Sequence, residues 1–236
     1  MTFKKYLAII PARGGSKRLP KKNVKKLFGK ELIGWTIESA LKSNSINNVV
    51  VSTDSEEIAS VSKRFGAEIP FIRPLSLATD TSSSYSVVEH CIEYYKNEMN
   101  VTFENIILLQ PTSPLRNEIH IKEAIELFES KKANAVISVS EMEHSPLWSN
   151  TLGENLEIDH FLNKELMNTR SQDLPSYYRL NGGIYIIKTE QFFKNKSFYP
   201  EKGSFAYIMD SKYSVDIDNE IDFLFAELLL SQKNNI

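Results

Sequence analysis

A single cysteine, Cys91, in 236 residues excludes an internal disulfide and any cysteine-built zinc site. No apolar run approaches the roughly 20 residues that a membrane-crossing helix needs. The opening Met1-Thr2-Phe3-Lys4-Lys5 leads straight toward an apolar segment with no signal-peptide core, so a soluble, cytoplasmic protein is expected. Charge of one sign is also scarce: 28 Lys and Arg stand against 30 Asp and Glu, a formal net of −2. No global field therefore draws the chain to nucleic acid or to a membrane surface. His90, His120, His144 and His160 have no metal-ligand spacing, and no Ser/His/Asp arrangement stands out. Neither the Walker spacing nor G-x-G-x-x-G occurs. Repeats and low-complexity tracts are missing too.

The remainder is an ordinary globular composition, 42% hydrophobic and 25% charged, enough for one large core with a small appendage. Its charge is unevenly placed. Cations crowd between Arg13 and Lys30, while Asp210, Asp216, Asp218, Glu220, Asp222 and Glu227 gather toward the C-terminus. A cationic loop and an acidic end on one chain suit a nucleotide site with a divalent metal.

Strand and helix patterns alternate. Apolar runs at 6–10, 49–51, 67–72, 106–109, 135–139 and 184–187 read as buried strands. Helical patterns lie at 32–41, 85–99, 118–128 and 221–230, and another starts at Asp54, with Glu57 at capping-box spacing. Cys91 falls in a helical pattern with Val88 and Ile92, as a buried structural thiol would. Continuous apolar strands between helices predict an α/β fold, a mostly parallel sheet covered on both faces. From 141 to 180 the rhythm breaks into polar and aromatic sequence, expected to leave the core as a β-ribbon subdomain.

Ligands of such sheets bind beyond the C-terminal strand ends, and the informative loops fall there. After the first strand come Gly14 and Gly15, whose backbone N–H groups no Cβ shields, with Arg13, Ser16, Lys17, Arg18, Lys21 and Lys22 around them. A loop of this kind suits a polyphosphate. The hydroxyl-rich segment 73–84 carries Arg73, Thr81, Ser83 and Ser84; it can read a pyrimidine edge, or Ser83 or Ser84 can simply cap a helix. Two prolines stiffen 110–116 and hold Gln110 at a strand end, where it can orient a polyol or serve a rigid turn. Asp216 and Asp218, two apart in an extended segment, point to one side and suit Mg²⁺, unless Asp218 only caps the last helix. Arg170, Gln172 and Arg179 suit carboxylate recognition, a solvated face or a subunit contact.

Taken together, the segments PARGGSKRLPKKN (11–23), VSTD (51–54), RPLSLATD (73–80), LLQPTSPLR (108–116), NGGIY (181–185) and SVDID (214–218) resemble the acylneuraminate cytidylyltransferase family, the CMP-sialic acid synthetases, over nearly the whole chain. The resemblance implies a Rossmann-like core of nucleotide-diphospho-sugar transferase type over 1–139 and 181–236, with a dimerisation arm over 140–180 and hence a homodimer. It implies that CTP and a nonulosonic acid give the CMP-ester and pyrophosphate, for surface polysaccharide or lipopolysaccharide biosynthesis. By position, Arg13, Gly15, Ser16, Lys17 and Lys22 would hold the triphosphate, and Asn23, Arg73 and the hydroxyls of Thr81, Ser82, Ser83 and Ser84 the cytosine and ribose. Gln110, Asn181 and Tyr185 would contact the sugar acid, and Arg170, Gln172 and Arg179 would reach toward the neighbouring subunit's site. Asp216 and Asp218 would hold Mg²⁺, with Arg13, Lys22 and Asp216 in the catalytic centre. One departure concerns Trp148, which stands where sialic acid synthetases can carry a lysine. The Pro146-Leu147-Trp148 segment looks closer to relatives acting on legionaminic acid, and the Asp-Asp-Phe segment of pseudaminic acid relatives is missing at Ala78-Thr79-Asp80. N-acetylneuraminate or legionaminic acid is the expected substrate. A pseudaminic acid or Kdo cytidylyltransferase and a catalytically silent nucleotide-binding module are the competing readings.

Overall fold

The computed structural model describes residues 1–163, 166 and 169–233. Positions 164, 165, 167 and 168 of the expected arm, and 234–236 of the expected core, lie outside the described residues.

Six strands form the main sheet in the order β4-β1-β5-β7-β6-β8. They are β1 (Thr2–Pro11), β4 (Asn48–Ser52), β5 (Val101–Leu108), β6 (Ala135–Glu141), β7 (Tyr178–Lys188) and β8 (Ser204–Ile208). β1 pairs parallel with β4 and β5, and β6 parallel with β8, while β7 runs antiparallel to both β5 and β6. The sheet is thus mostly parallel, with one reversed strand inside it. A two-stranded ribbon, β2 (Lys26–Leu27) and β3 (Lys30–Glu31), stands apart.

Both faces are covered, which is why the strands read as unbroken apolar runs. In β1, Tyr6, Ala8 and Ile10 enter one core with α1 (Leu32–Lys42), α2 (Glu56–Arg64) and α4 (Glu118–Ser130). The alternate residues Leu7 and Ile9 enter a second core with α3 (Ser84–Asn97) and Phe192 of α5 (Thr189–Asn195). Cys91 lies in this second core, fully buried. A smaller third cluster of Leu19, Leu27, Leu115, Ile217 and Phe223 fastens α6 (Glu220–Lys233) beside the loops. No helix among the described residues is long and apolar enough to cross a membrane.

Three expectations are corrected. No strand forms over 67–72: Glu68 makes one isolated bridge to Val50, and Pro70 has no N–H to extend a ladder. Helix α2 begins at Glu56 with Ser55 as its cap, which frees Asp54 for other partners. Between Glu141 and Tyr178 the described residues form no sheet; regular structure there is limited to single 3₁₀ turns such as Pro146–Trp148 and Ser171–Asp173. The segment therefore leaves the sheet where β6 and β7 end their pairing, at Glu141 opposite Tyr178.

Candidate active site

β1, β4, β5, β6 and β8 run in the same direction, so the loops after them leave from one edge of the sheet, and β7 enters at that edge because it runs the other way. The loops after β1, β5 and β8, with the segment 73–84, line a cleft of two lobes, of about 380 and 320 Å³, which share Pro11, Arg13, Asp80, Pro111 and Thr112.

The first lobe is cationic. Arg13, Ser16, Lys17, Arg18, Lys22 and Asn23 line it. Arg13 Nη1 and Lys17 Nζ both reach Asp80, at 2.8 and 2.5 Å. Hydrogen bonds first from Lys17 and then from Arg13 hold the Asp80 carboxyl below the usual carboxylate range. Lys21 does not join them; it turns outward to Glu57 at 3.0 Å. The glycines also differ from expectation. The Gly14 N–H is already engaged, donating to Asp54 Oδ1 at 3.0 Å, and a Cβ there would press on Ser55 at 3.2 Å. At Gly15 a Cβ would meet nothing within 4 Å, so this position faces open space. Asn23 is buried in this lobe and donates to the Arg13 carbonyl at 3.1 Å, rather than lying on the base side.

The second lobe is lined by Arg73, Thr79, Ser82, Ser83, Ser84 and Gln110, among others. Arg73 is 4% exposed, its Nη2 lies 3.6 Å from Asp54 Oδ1, and its Nε has no protein partner. Burial lowers its pKa, with Asp54 opposing that shift. A guanidinium with donors to spare at the cleft floor suits a carbonyl-bearing ligand. Ser83 is the cap of α3, accepting from the Ser86 N–H at 3.1 Å. Thr81 is exposed, bonds Thr79 and does not line the lobe, so Thr79 joins Ser82, Ser83 and Ser84 in the wall in its place.

The carboxylate pair adjoins the cationic lobe, which Asp218 lines. Ile217 is buried in the third cluster, and its N–H donates to the Thr112 carbonyl at 2.8 Å, which leaves Asp216 and Asp218 to face outward. Capping of α6 falls to Asn219, which accepts from the Ile221 and Asp222 N–H groups, while Asp222 accepts from the Asp218 N–H. The Asp218 carboxylate is thereby free for Arg18 Nη2 at 3.0 Å and Lys22 Nζ at 3.6 Å. Lys22 also donates to the Ile217 carbonyl at 2.7 Å. Its burial lowers its pKa despite the opposing charges of Asp218 and Asp216. Asp216 keeps an accessible edge, yet the surrounding protein is the largest influence on its carboxyl and raises it, with Asp218 adding to the rise and Thr112 opposing it. Among the described residues no group of three or more His, Cys, Asp or Glu side chains could hold a metal. Two carboxylates beside a phosphate-sized cationic lobe are a donor set that Mg²⁺ accepts, since it takes its remaining ligands from water and phosphate oxygens.

Gln110, which lines the second lobe, converges with Gly182 near Asp216. A Cβ on Gly182 would lie 2.8 Å from Gln110 Oε1 and 3.9 Å from Asp216 Oδ2. Asn181 is turned inward, 2% exposed, accepting from the Ser138 hydroxyl and donating to the Ser214 hydroxyl, so it shapes the site from behind. Tyr185 is largely a core side chain packed on Phe198; burial above all, then Tyr199, raises its hydroxyl pKa. Arg170, Gln172 and Arg179 are exposed and none lines either lobe of this chain's cleft. Arg170 pairs with Asp173 at 2.8 Å, and Arg179 stands on β7 opposite Ser140. Asp80 and Asp54 were the partners that sequence reasoning missed; the positions of both, ending the RPLSLATD and VSTD segments, were the available signal.

Residues 7–234 match the family model described as Cytidylyltransferase. Over 233 residues the chain is 40% identical to a CMP-N,N'-diacetyllegionaminic acid synthase of Legionella pneumophila, covering 96% of both chains. It is 36% identical over 231 residues to an N-acylneuraminate cytidylyltransferase of Escherichia coli, covering 98% of this chain but only 53% of that longer protein. A solved CMP:2-keto-3-deoxy-manno-octonic acid synthetase in complex with CTP shares the fold, with a TM-score of 0.70 at 18% identity over 98% of this chain and 100% of that one.

Proposed function

The chain belongs to the cytidylyltransferase family, and on that premise we propose that it activates a nonulosonic, sialic-type acid with CTP, giving the CMP-sugar acid and pyrophosphate. The observation that carries this reading is the meeting of a cationic lobe and an arginine-floored hydroxyl lobe in one cleft, with Asp218 lining the cationic lobe beside Lys22 and Asp216 two residues before it.

In this reading Arg13, Ser16, Lys17 and Lys22 bind the triphosphate, displacing Asp80 from Arg13 and Lys17. Arg73 donates to the cytosine carbonyl, and the Thr79, Ser82, Ser83 and Ser84 hydroxyls surround base and ribose. Gln110 orients the sugar acid so that its C2 hydroxyl faces the α-phosphorus in line with the departing pyrophosphate. The C2 oxygen–phosphorus bond forms as the bond to the pyrophosphate oxygen breaks. Lys22 stabilises the negative charge that grows on the phosphoryl oxygens, because its ammonium is held in place before reaction by the Ile217 carbonyl. The hydroxyl proton leaves to a base at the carboxylate pair, either the Asp216 carboxylate or a water held there. Asp216 and Asp218 would hold Mg²⁺, which when bound supplies further positive charge at the phosphates.

The reading includes a cytoplasmic location and a homodimer, and the arm's surface supports the dimer. Leu152, Leu156, Ile158 and Leu180 are each more than half exposed there, an apolar surface that a second copy would cover. Arg170, Gln172 and Arg179 would then approach the partner's site. For the sugar, the 40% identity to the legionaminic acid synthase, together with Trp148, favours legionaminic acid over N-acetylneuraminate.

The test is pyrophosphate release with CTP and Mg²⁺, comparing legionaminic acid, N-acetylneuraminate, pseudaminic acid and Kdo. Release with legionaminic acid, and to a lesser extent N-acetylneuraminate, is expected. Release with Kdo alone, or with none of the four, would overturn the reading.

A further inference from the structure

The segment that begins at Gln110 ends at Arg116, whose place is unusual. It is the largest fully buried side chain among the described residues, 1% exposed, and no carboxylate pairs with it. Burial without a counter-ion pushes its pKa down to about 9, so the cation persists at neutral pH. Burying an unpaired charge is costly, and an apolar side chain of similar volume would fill the same space without that cost. What the guanidinium does have is two carbonyls. Nη1 donates to Gly183 O at 2.8 Å and lies 3.4 Å from Gln110 O. These carbonyls belong to the two segments that meet at the sugar side of the cleft.

The ladder between β5 and β7 runs from Asn105 opposite Lys188 to Leu108 opposite Tyr185 and then stops. Gln110 and Gly183 lie just beyond its last rung, with no ladder hydrogen bond joining them, while their neighbours are held from other sides: the Leu109 N–H donates to the Ile9 carbonyl and the Ile184 N–H to the Ser138 hydroxyl. Arg116 spans that gap. Both contacts come from Nη1, one N–H to each carbonyl, while Nε and Nη2 have no hydrogen-bond partner; the planar guanidinium fixes the direction of those two N–H donors.

We propose that Arg116 is a positioning residue for the sugar acid: its buried guanidinium ties the Gln110 carbonyl to the Gly183 carbonyl where the β5–β7 ladder ends, and so holds the Gln110 amide against Gly182. This rests on the reading of Gln110 as a sugar-acid contact.

The test compares Arg116→Met, which keeps volume and removes every donor, and Arg116→Lys, which keeps the charge without the fork, alone and combined with Gln110→Ala. Steady-state constants are measured for CTP and for the sugar acid that the wild type turns over, with CTP calorimetry and melting curves alongside. Arg116→Met is expected to raise KM for the sugar acid by about tenfold or more, with CTP affinity within about twofold of wild type and Arg116→Lys in between. Because Arg116 acts through Gln110, adding Arg116→Met to Gln110→Ala should cost less than about twofold more. Equal losses for CTP and sugar acid, or effects that multiply in the double variant, would make Arg116 a residue of general packing and overturn the proposal. If Arg116→Met does not fold, Arg116→Lys carries the same comparison. A wild type that turns over no nonulosonic acid would instead remove the substrate reading itself, and the role of Arg116 with it.

Discussion

Gly182 packs against the Gln110 amide: a Cβ there would sit 2.8 Å from the amide oxygen, so the amide would have to shift, and the Gly182 backbone has φ of +72°. The left-handed conformation favours glycine, and the contact ties any side chain at 182 to the placement of Gln110. Gly182→Ala is expected to displace the Gln110 amide and to cost about 1–3 kcal/mol of stability from the strained backbone. KM for the sugar acid should rise about tenfold or more while CTP affinity, measured by calorimetry, stays unchanged. Unaltered sugar-acid kinetics would separate Gln110 from that substrate.

Asp216→Asn and Asp218→Asn should each lower kcat by about 100-fold or more, some 2.7 kcal/mol of barrier. Ile217, buried between them, keeps the segment in place, so circular dichroism and the melting curve should stay close to wild type. Normal turnover in both variants would remove the pair from the catalytic centre.

Lys22 should show itself in the pH profile. Burial lowers its pKa below the ordinary 10.5, so the ammonium is lost at a lower pH than on an exposed lysine. The alkaline limb of kcat/KM for CTP, which reports the free enzyme, is therefore expected below pH 10.5. Lys22→Arg, which stays charged, should move that limb upward even if the rate falls. An identical limb in the variant would assign it to another group.

Asp80 competes with the nucleotide for Arg13 and Lys17. Asp80→Asn should therefore tighten CTP binding, by about twofold to fivefold at low ionic strength, and the gain should shrink as salt is added. Weaker binding would mean that Asp80 helps hold the ligand.

The fold was legible where burial on both faces wrote unbroken apolar runs, as in β1, β4, β5 and β6. It was not legible at β8, an edge strand whose Ser204, Phe205, Ala206 and Ile208 are exposed, so no apolar run marks it. The run over 67–72 misled for the opposite reason: it is apolar enough for a strand, but Pro70 withholds the donor that a ladder requires. The β2–β3 ribbon turns at Phe28 and Gly29, with φ of 48° and 81°, and a phenylalanine in the left-handed region gives no turn signal. In the site, the segments that converge were readable as separate motifs, each at a strand end. Their pairings were not. Asp54 lies 40 residues from Gly14, and Arg18 is brought to Asp218 only by the folded loops. Lys21 and Lys22 are neighbours in sequence, yet one faces Glu57 and the other the cleft. A left-handed Lys21, with φ of 55°, separates them, and composition cannot reveal that.

Attack of a sugar-acid hydroxyl on the α-phosphorus of CTP has one distinctive consequence, the partition of label. CTP carrying ³²P at the α position and, separately, at the γ position should be incubated with enzyme, Mg²⁺ and legionaminic acid, and the products resolved by chromatography. The α label is expected in a CMP-sugar acid and the γ label in pyrophosphate, both only when the sugar acid is present. Transfer of the γ label to the sugar, or release of either label without it, would contradict the assigned reaction.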